Sequence, residues 1–193
     1  MPTHVALLRG INLGGHKKVA MADLRELVTS LGHADVATYI QSGNVVFSTE
    51  QSDTAALAAA LEEAIAQTLG VQARVVVLSR EELAQVVRDN PYSDEPNLRA
   101  VHAIFLSGQP GRELADQVAA AQQQVAQRGS PDTAEIIGRT IFLHTPAGYG
   151  RSDLAASLVK IGQRKTDQVA GTARNWATVT KLAAMCGTPS PGQ

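Results

Sequence analysis

Val36-Ala37-Thr38-Tyr39-Ile40-Gln41-Ser42-Gly43-Asn44-Val45-Val46-Phe47-Ser48 reads as two strands folded back on each other. β-Branched and aromatic residues favour extended backbone, and Ser42-Gly43-Asn44 between them signals a tight turn, since Gly and Asn accept positive φ. The stretch predicts strands over 36–41 and 45–48 joined as a hairpin. Upstream, His4-Val5-Ala6-Leu7-Leu8 contains an apolar strand over 5–8. Leu24, Leu27, Val28 and Leu31 then share one face of a helix that begins at Met21, and Gly32 is placed to end it. Downstream, Asp53 is placed to cap a helix whose stripe is Leu57, Leu61, Ile65 and Leu69, with Gly70 as its stop. A valine-rich strand follows over 73–78.

The hairpin in the middle makes the order β-α-β-β-α-β, the split arrangement of ferredoxin-like folds with antiparallel sheets. Ser79 and Glu82 form a capping-box pattern ahead of Leu83, Val86 and Val87. Residues 91–97, with two prolines, are the linker candidate. The pattern then recurs. A strand over 101–106 precedes a helix carrying Leu114, Val118, Ala121 and Val125, which closes at Gly129. Strands over 134–137 and 141–144 flank Gly138-Arg139-Thr140 as a second hairpin. A helix marked by Leu154, Leu158 and Ile161 leads to a short last strand over 168–170. Phe47 and Phe142, or Gly43 and Gly138, stand at corresponding places in the two halves. The fold class is therefore α+β: two ferredoxin-like halves, 1–90 and 91–193, the second carrying a terminal helix with Trp176, Val179, Ala183 and Cys186 on one face. Val75 to Leu78 and Val5 to Leu8 are apolar without alternation, so both faces of the first sheet should be buried. Residues 187–193 read as a frayed tail.

Composition narrows the function. In 193 residues, 44% hydrophobic and 18% charged, the net charge is −1, so no global field draws the protein to nucleic acid or an anionic membrane. Cys186 is the single cysteine, which excludes an internal disulfide and a cysteine zinc site. No apolar run approaches the roughly 20 residues needed to span a bilayer, and no signal segment precedes the first strand. A cytoplasmic protein, monomer or homodimer, is expected. His4, His16, His33, His102 and His144 show no ligand spacing, so no metal and no cofactor is expected.

Two polar clusters remain. The end of the first strand lies beside the start of the third, which brings Arg9-Gly10-Ile11-Asn12-Leu13-Gly14-Gly15 next to Ser42-Gly43-Asn44. Gly10 and Gly15 have the glycine spacing of a phosphate-binding loop, but His16 stands at its lysine position and Lys17 at its Ser/Thr position. A looser anion site of backbone N–H groups with Arg9, Lys17 and Lys18 is one reading. A loop held by Asn12, with Arg9 paired to an acid, is the other. In the second half, Arg151 and Ser152 and then Arg174, Asn175 and Trp176 cluster near helix starts. Ser152 and Thr172 read as caps. Arg151 and Arg174 sit at N-terminal ends, where a cation makes most sense with an anion between, either a ligand or an internal carboxylate.

These segments carry a resemblance. Arg9 to Gly15, Tyr39 to Val45, Gly150-Arg151-Ser152, and Thr172 to Trp176 with Lys181-Leu182 resemble the signature segments of the bacterial DUF1697 family, over residues 4–183. Leu13 stands where valine is commoner. The resemblance implies the two-part α/β fold and brings no activity and no catalytic residue with it.

The expected function is binding of a small phosphate- or carboxylate-bearing molecule, or an unidentified reaction on one. The ligand residues would be Arg9, Asn12, Gly14, Gly15, Ser42, Asn44, Arg151, Ser152, Arg174 and Asn175, with affinity resting on Arg174 and Arg151. RNA binding is the alternative that ferredoxin-like sheets suggest, but only Phe47, Phe105 and Phe142 lie on the central strands and nucleic acid is disfavoured. A structural or interaction protein with no small ligand is the third class.

Overall fold

The structure, a computed structural model, describes residues 1–12, 18–160 and 169–187. Its contacts divide the chain into two compact units, Met1–Arg88 with Thr180–Gln193, and Asp89–Val179. Among the described residues each unit holds a four-stranded antiparallel sheet, and the chain forms eight strands and six α-helices.

In the first unit β1 (His4–Arg9), α1 (Met21–Ser30), β2 (Ala34–Tyr39), β3 (Asn44–Ser48), α2 (Thr54–Leu69), β4 (Arg74–Ser79) and α3 (Arg80–Arg88) follow the β-α-β-β-α-β order, with α3 added. The sheet runs β2-β3-β1-β4. The hairpin turn occupies Ile40, Gln41, Ser42 and Gly43, while Asn44 already pairs with Tyr39 in the ladder. Ile40 and Gly43 both take positive φ, 49° and 72°. Asp53 caps α2 by accepting the Ala55 and Ala56 amides, each at 3.0 Å, and Gly70 ends it at φ 65°. The Ser79 hydroxyl accepts the Glu82 amide at 3.1 Å and the Glu82 carboxylate accepts the Ser79 amide at 2.9 Å, so the capping box opens α3. Leu31, expected on the α1 stripe, is instead the helix's C-cap and is exposed; Met21 takes the buried place at the other end.

Ala6, Leu8, Val45, Phe47, Val75 and Val77 pack with Leu24, Leu57, Leu61 and Ile65 in one apolar core. The alternate residues Val5, Leu7, Val46, Val76 and Leu78 are buried too, so both sheet faces are out of water, as the unbroken apolar runs require. The same unit supplies apolar side chains beyond α1 and α2. Helix α3 packs against β4 and β1 and buries Leu83, Val86 and Val87, and Leu182, Ala183 and Cys186 are buried in the segment from Thr180 onward.

The second unit contains β5 (Val101–Leu106), α4 (Arg112–Gln127), β6 (Thr133–Ile137), β7 (Thr140–His144), a 3-10 turn at Tyr149–Arg151, α5 (Asp153–Lys160) and β8 (Gly171–Asn175), in sheet order β6-β7-β5-β8. Ile104, Leu106, Ile141 and Leu143 face α4 and α5. The last strand, expected over 168–170, lies at Gly171–Asn175; Gln168 is outside the described residues, as are Ile161 and all of the expected tail but Gly187. The displacement has a physical cause. Thr172 and Arg174 are the buried side chains of β8, opposite Phe105 and Ala103, so the strand carries polar residues where a hydropathy pattern predicts apolar ones. Helix α6 (Trp176–Met185) follows at once, and the division between the units falls inside it, after Val179.

Candidate functional site

Asn12 organises the first cluster. At φ 56° it donates through Nδ2 to the Val19 carbonyl at 3.0 Å and the Gln41 carbonyl at 2.9 Å, and its Oδ1 accepts the Val19 amide at 2.8 Å. One amide side chain thus ties both ends of the β1–α1 connection to the β2–β3 turn. Gly43 fits beneath: a Cβ there would stand 2.7 Å from Ile11 Cδ1 and from Leu8 Cβ, and the Gly43 carbonyl accepts the Leu8 amide at 2.8 Å. Asn44, fully buried, donates through Nδ2 to the Tyr39 carbonyl and to Ser42 Oγ. Asn12, Ser42 and Asn44 therefore come together, as strand order required. Arg9 lies opposite Arg74 at the end of β1, half-buried. Gly14 and Gly15, with Leu13, His16 and Lys17, lie outside the described residues. Asn12, Lys18, Val19, Ala20 and Gln41 line a cleft of about 340 Å³ beside this loop.

The second cluster separates into two places. Arg174 and Asn175 belong to β8. The Arg174 guanidinium is buried and donates to Thr172 Oγ1 and to the Ala173 carbonyl, both at 2.8 Å; burial pulls its pKa down to about 10. Thr172, expected as a helix cap, is this arginine's acceptor. The cap of α6 is Asn175, whose Oδ1 accepts the Thr178 amide at 2.8 Å.

Arg151 and Ser152 line a different cleft, of about 250 Å³, where the α4–β6 and β7–α5 connections meet. Gly148, at φ 102°, starts the turn that ends at Arg151. Ser152 caps α5 as expected, its Oγ accepting the Ala155 amide at 2.9 Å. From the other connection come Arg128, Ser130 and Asp132, none of which the sequence motifs had marked. Arg128 Nη1 lies 3.9 Å from Asp153 Oδ2 across the cleft, an exposed pair of modest worth. Ser130 Oγ accepts the Asp132 amide at 3.3 Å. The Arg151 side chain has no hydrogen-bond or ion-pair partner among the described residues and stands exposed at the mouth.

Two further polar groupings were not foreseen. His144 Nε2 meets a Glu95 carboxylate oxygen at 2.7 Å, Tyr92 stacks on the His144 ring at 5.0 Å, and Thr133 Oγ1 donates to the Tyr92 hydroxyl. The Asn97 amide and His144 together hold the Glu95 carboxyl below its ordinary pKa. His102 stacks on Tyr149 at 4.1 Å, its Nδ1 is buried with no hydrogen-bond partner among the described residues, and burial pulls its pKa down to about 4. Among the described residues no three metal-ligating side chains come together.

A family model described as a protein of unknown function, DUF1697, matches residues 1–142. Among solved structures, the chain is similar to the conserved bacterial protein SP0830 from Streptococcus pneumoniae, at 26% identity and a TM-score of 0.70, over 96% of this chain and 98% of that one. No curated protein sequence matches it.

Proposed function

The chain belongs to the DUF1697 family of proteins of unknown function, and from its own side chains we propose that it binds a small ligand bearing a phosphate or carboxylate group in the cleft of the second unit. The observation that carries this reading is Arg151, an arginine with no side-chain partner among the described residues, at the entrance to a helix. The first-turn amides of α5 other than that of Ala155, which Ser152 holds, offer further N–H donors there, and a guanidinium at that end is unfavourable unless an anion lies beside it; Asp153, the acid of that turn, faces Arg128 instead. Arg128 lines the same cleft and adds a second donor fork. Binding fits better than catalysis. Among the described residues no histidine lines the cleft, and the Ser152 hydroxyl is engaged as a helix cap rather than poised as a nucleophile. On this reading Asn12, Ser42 and Asn44 hold the first loop to its hairpin, and Arg174 serves the interior of its own sheet. The protein works in the cytoplasm, as monomer or homodimer.

The RNA reading is weaker, because Phe47, Phe105 and Phe142, the aromatics that would stack on bases, are at most 1% exposed. Among the described residues no helix is long and apolar enough to cross a membrane.

The test is a thermal-shift screen of nucleotides, phosphosugars and organic acids, followed by calorimetry. A ligand at about 100 times its Kd should stabilise the fold by roughly 2.7 kcal/mol. Replacing Arg151 with alanine removes a charge-assisted hydrogen bond and should weaken binding roughly 10- to 100-fold. Anions that bind with unchanged affinity to Arg151→Ala would show that the site lies elsewhere.

A further inference from the structure

Among the described residues four strands lie at sheet edges, β2 and β4 in the first unit and β6 and β8 in the second. An edge strand carries a row of backbone N–H and C=O groups without a neighbouring strand, and proteins guard such rows against pairing with another chain. Three of the four are guarded by side chains bonded to their backbone. Glu62 Oε1 accepts the Val75 amide of β4 at 2.8 Å, and Gln122 Oε1 accepts the Ala134 amide of β6 at 2.6 Å. In β8 the Arg174 guanidinium donates to the Ala173 carbonyl. Strand β6 adds the exposed charge of Glu135.

Strand β2 is the exception. Its guard is confined to the first end, where Asp35 stands at φ 52° and the register with β3 shifts between Ala34 and Ala37. Beyond that bulge, Val36-Ala37-Thr38-Tyr39-Ile40 contains no charge, no proline and no glycine. Among the described residues only β3 hydrogen-bonds the backbone of these five, through the ladder and through Asn44 Nδ2 on the Tyr39 carbonyl. Arg25 reaches the Thr38 hydroxyl and no backbone group. Ile40 is the sharper oddity: it is 53% exposed and held at φ 49°, a region that β-branched residues avoid. An asparagine there would relieve the strain and show water less apolar surface.

We propose that the edge of β2 is an interface between two copies of this chain, paired antiparallel about a two-fold axis at Thr38. Thr38 then faces its own counterpart, Ala37 faces the partner's Tyr39, and Ile40 comes beside the partner's Val36. Threonine pairs and β-branched pairs of this kind stabilise a ladder, and no like charges oppose each other in it. A second copy fits because a two-fold axis makes one short, neutral edge complementary to itself, and the bulge at Asp35 ends the ladder on both chains. With the other three edges guarded, the pairing closes at two chains. Ile40 leaves water against the partner's Val36, which accounts for an apolar residue kept in a strained turn. The inference is independent of the cleft in the second unit.

Sedimentation equilibrium of the full chain, from about 1 µM to about 1 mM, reads the association. A monomer–dimer equilibrium is expected, and hydrogen exchange of the amides over 36–40 should slow as the dimer fills. Thr38→Lys and Thr38→Glu each set like charges face to face across the axis and should raise the dimer Kd at least about tenfold. An equimolar mixture of the two variants should dimerise again, which an axis placed elsewhere would not produce. Ile136→Lys, on the guarded edge of β6, should leave the Kd unchanged. A wild-type chain that stays monomeric at about 1 mM overturns the interface. So does a dimer indifferent to both Thr38 variants, or growth into species larger than the dimer. Amides over 36–40 that exchange slowly in a monomer would mean that another segment of the chain covers the edge, and would overturn it too. Should a Thr38 variant not fold, the wild-type mass and exchange still decide.

Discussion

Gly43 is held by backbone and by packing at once. Its φ is +72°, and a Cβ would stand 2.7 Å from two carbons of Leu8 and Ile11. Gly138 shares the positive φ, at +57°, with nothing within 4 Å of the Cβ position. The two hairpins thus provide a matched pair. Gly138→Ala should cost about 1 kcal/mol, the left-handed penalty alone, and Gly43→Ala about 3 kcal/mol, with overpacking added. Urea unfolding measures both, and equal costs would show that the Leu8–Ile11 contact gives way freely. His102 makes a second prediction at this scale. Its pKa falls from 6.5 to about 4 in the folded state, so the unfolded chain takes up the proton first. Stability should therefore be unaffected above about pH 6.5 and fall as the pH drops toward 4. Burial lowers the pKa of His4 and His33 in the same direction. Melting temperatures at about pH 7.5 and about pH 5 read this before most carboxylates titrate. His102→Phe, which keeps the stack on Tyr149, should reduce the drop; an unchanged slope would assign the effect to other groups.

At the scale of elements, termini were more legible than interiors. Asp53, Gly70, the Ser79–Glu82 box and Ser152 all cap as their residue types and offsets suggested. Capping is settled within four residues, so sequence carries it wherever the helix start itself is legible; at α6, where β8 was displaced, Asn175 and not Thr172 is the cap. Asp53→Ala removes the acceptor of two amides at the start of α2 and should cost about 1 kcal/mol, against a few tenths for Asp53→Gly. A denaturant midpoint equal to that of the wild-type chain would mean that water replaces the cap without loss. Strand β8 is the contrary case. Its buried positions are Thr172 and Arg174, and what makes them inward-facing is the pairing with Phe105 and Ala103, some seventy residues earlier.

For the whole molecule, the informative fact is that Thr180–Gln193 belong to the same compact unit as Met1–Arg88. The first unit is therefore completed from the far end of the chain. Cys186 reports on that completion: it is fully buried, and burial pushes its pKa up to about 11. In the native protein its thiol should react with a disulfide reagent only through opening, at a rate that climbs with denaturant. Fast labelling of the native state would contradict this burial. A fragment ending at Arg88 should melt lower than the intact protein and aggregate, because it lacks residues of its own unit. A monomeric fragment as stable as the full chain would refute the prediction.

The element order, the two hairpins, the caps of α2, α3 and α5 and the burial of both faces of the first sheet were determined by the sequence itself. Each follows from periodicity, turn chemistry or unbroken apolar runs, which act between neighbours in the chain. Of the candidate site, Arg151 was legible because arginine before a helix is an anomaly on its own. Asp132 was not, since an aspartate after Pro131 reads as a surface turn until the fold buries it beside that cleft. The Glu95–His144 pair, forty-nine residues apart, was equally hidden. Tertiary structure alone decided these, because what a charge is worth depends on the water it loses and the partners it meets. Both are set by which distant segments pack around it.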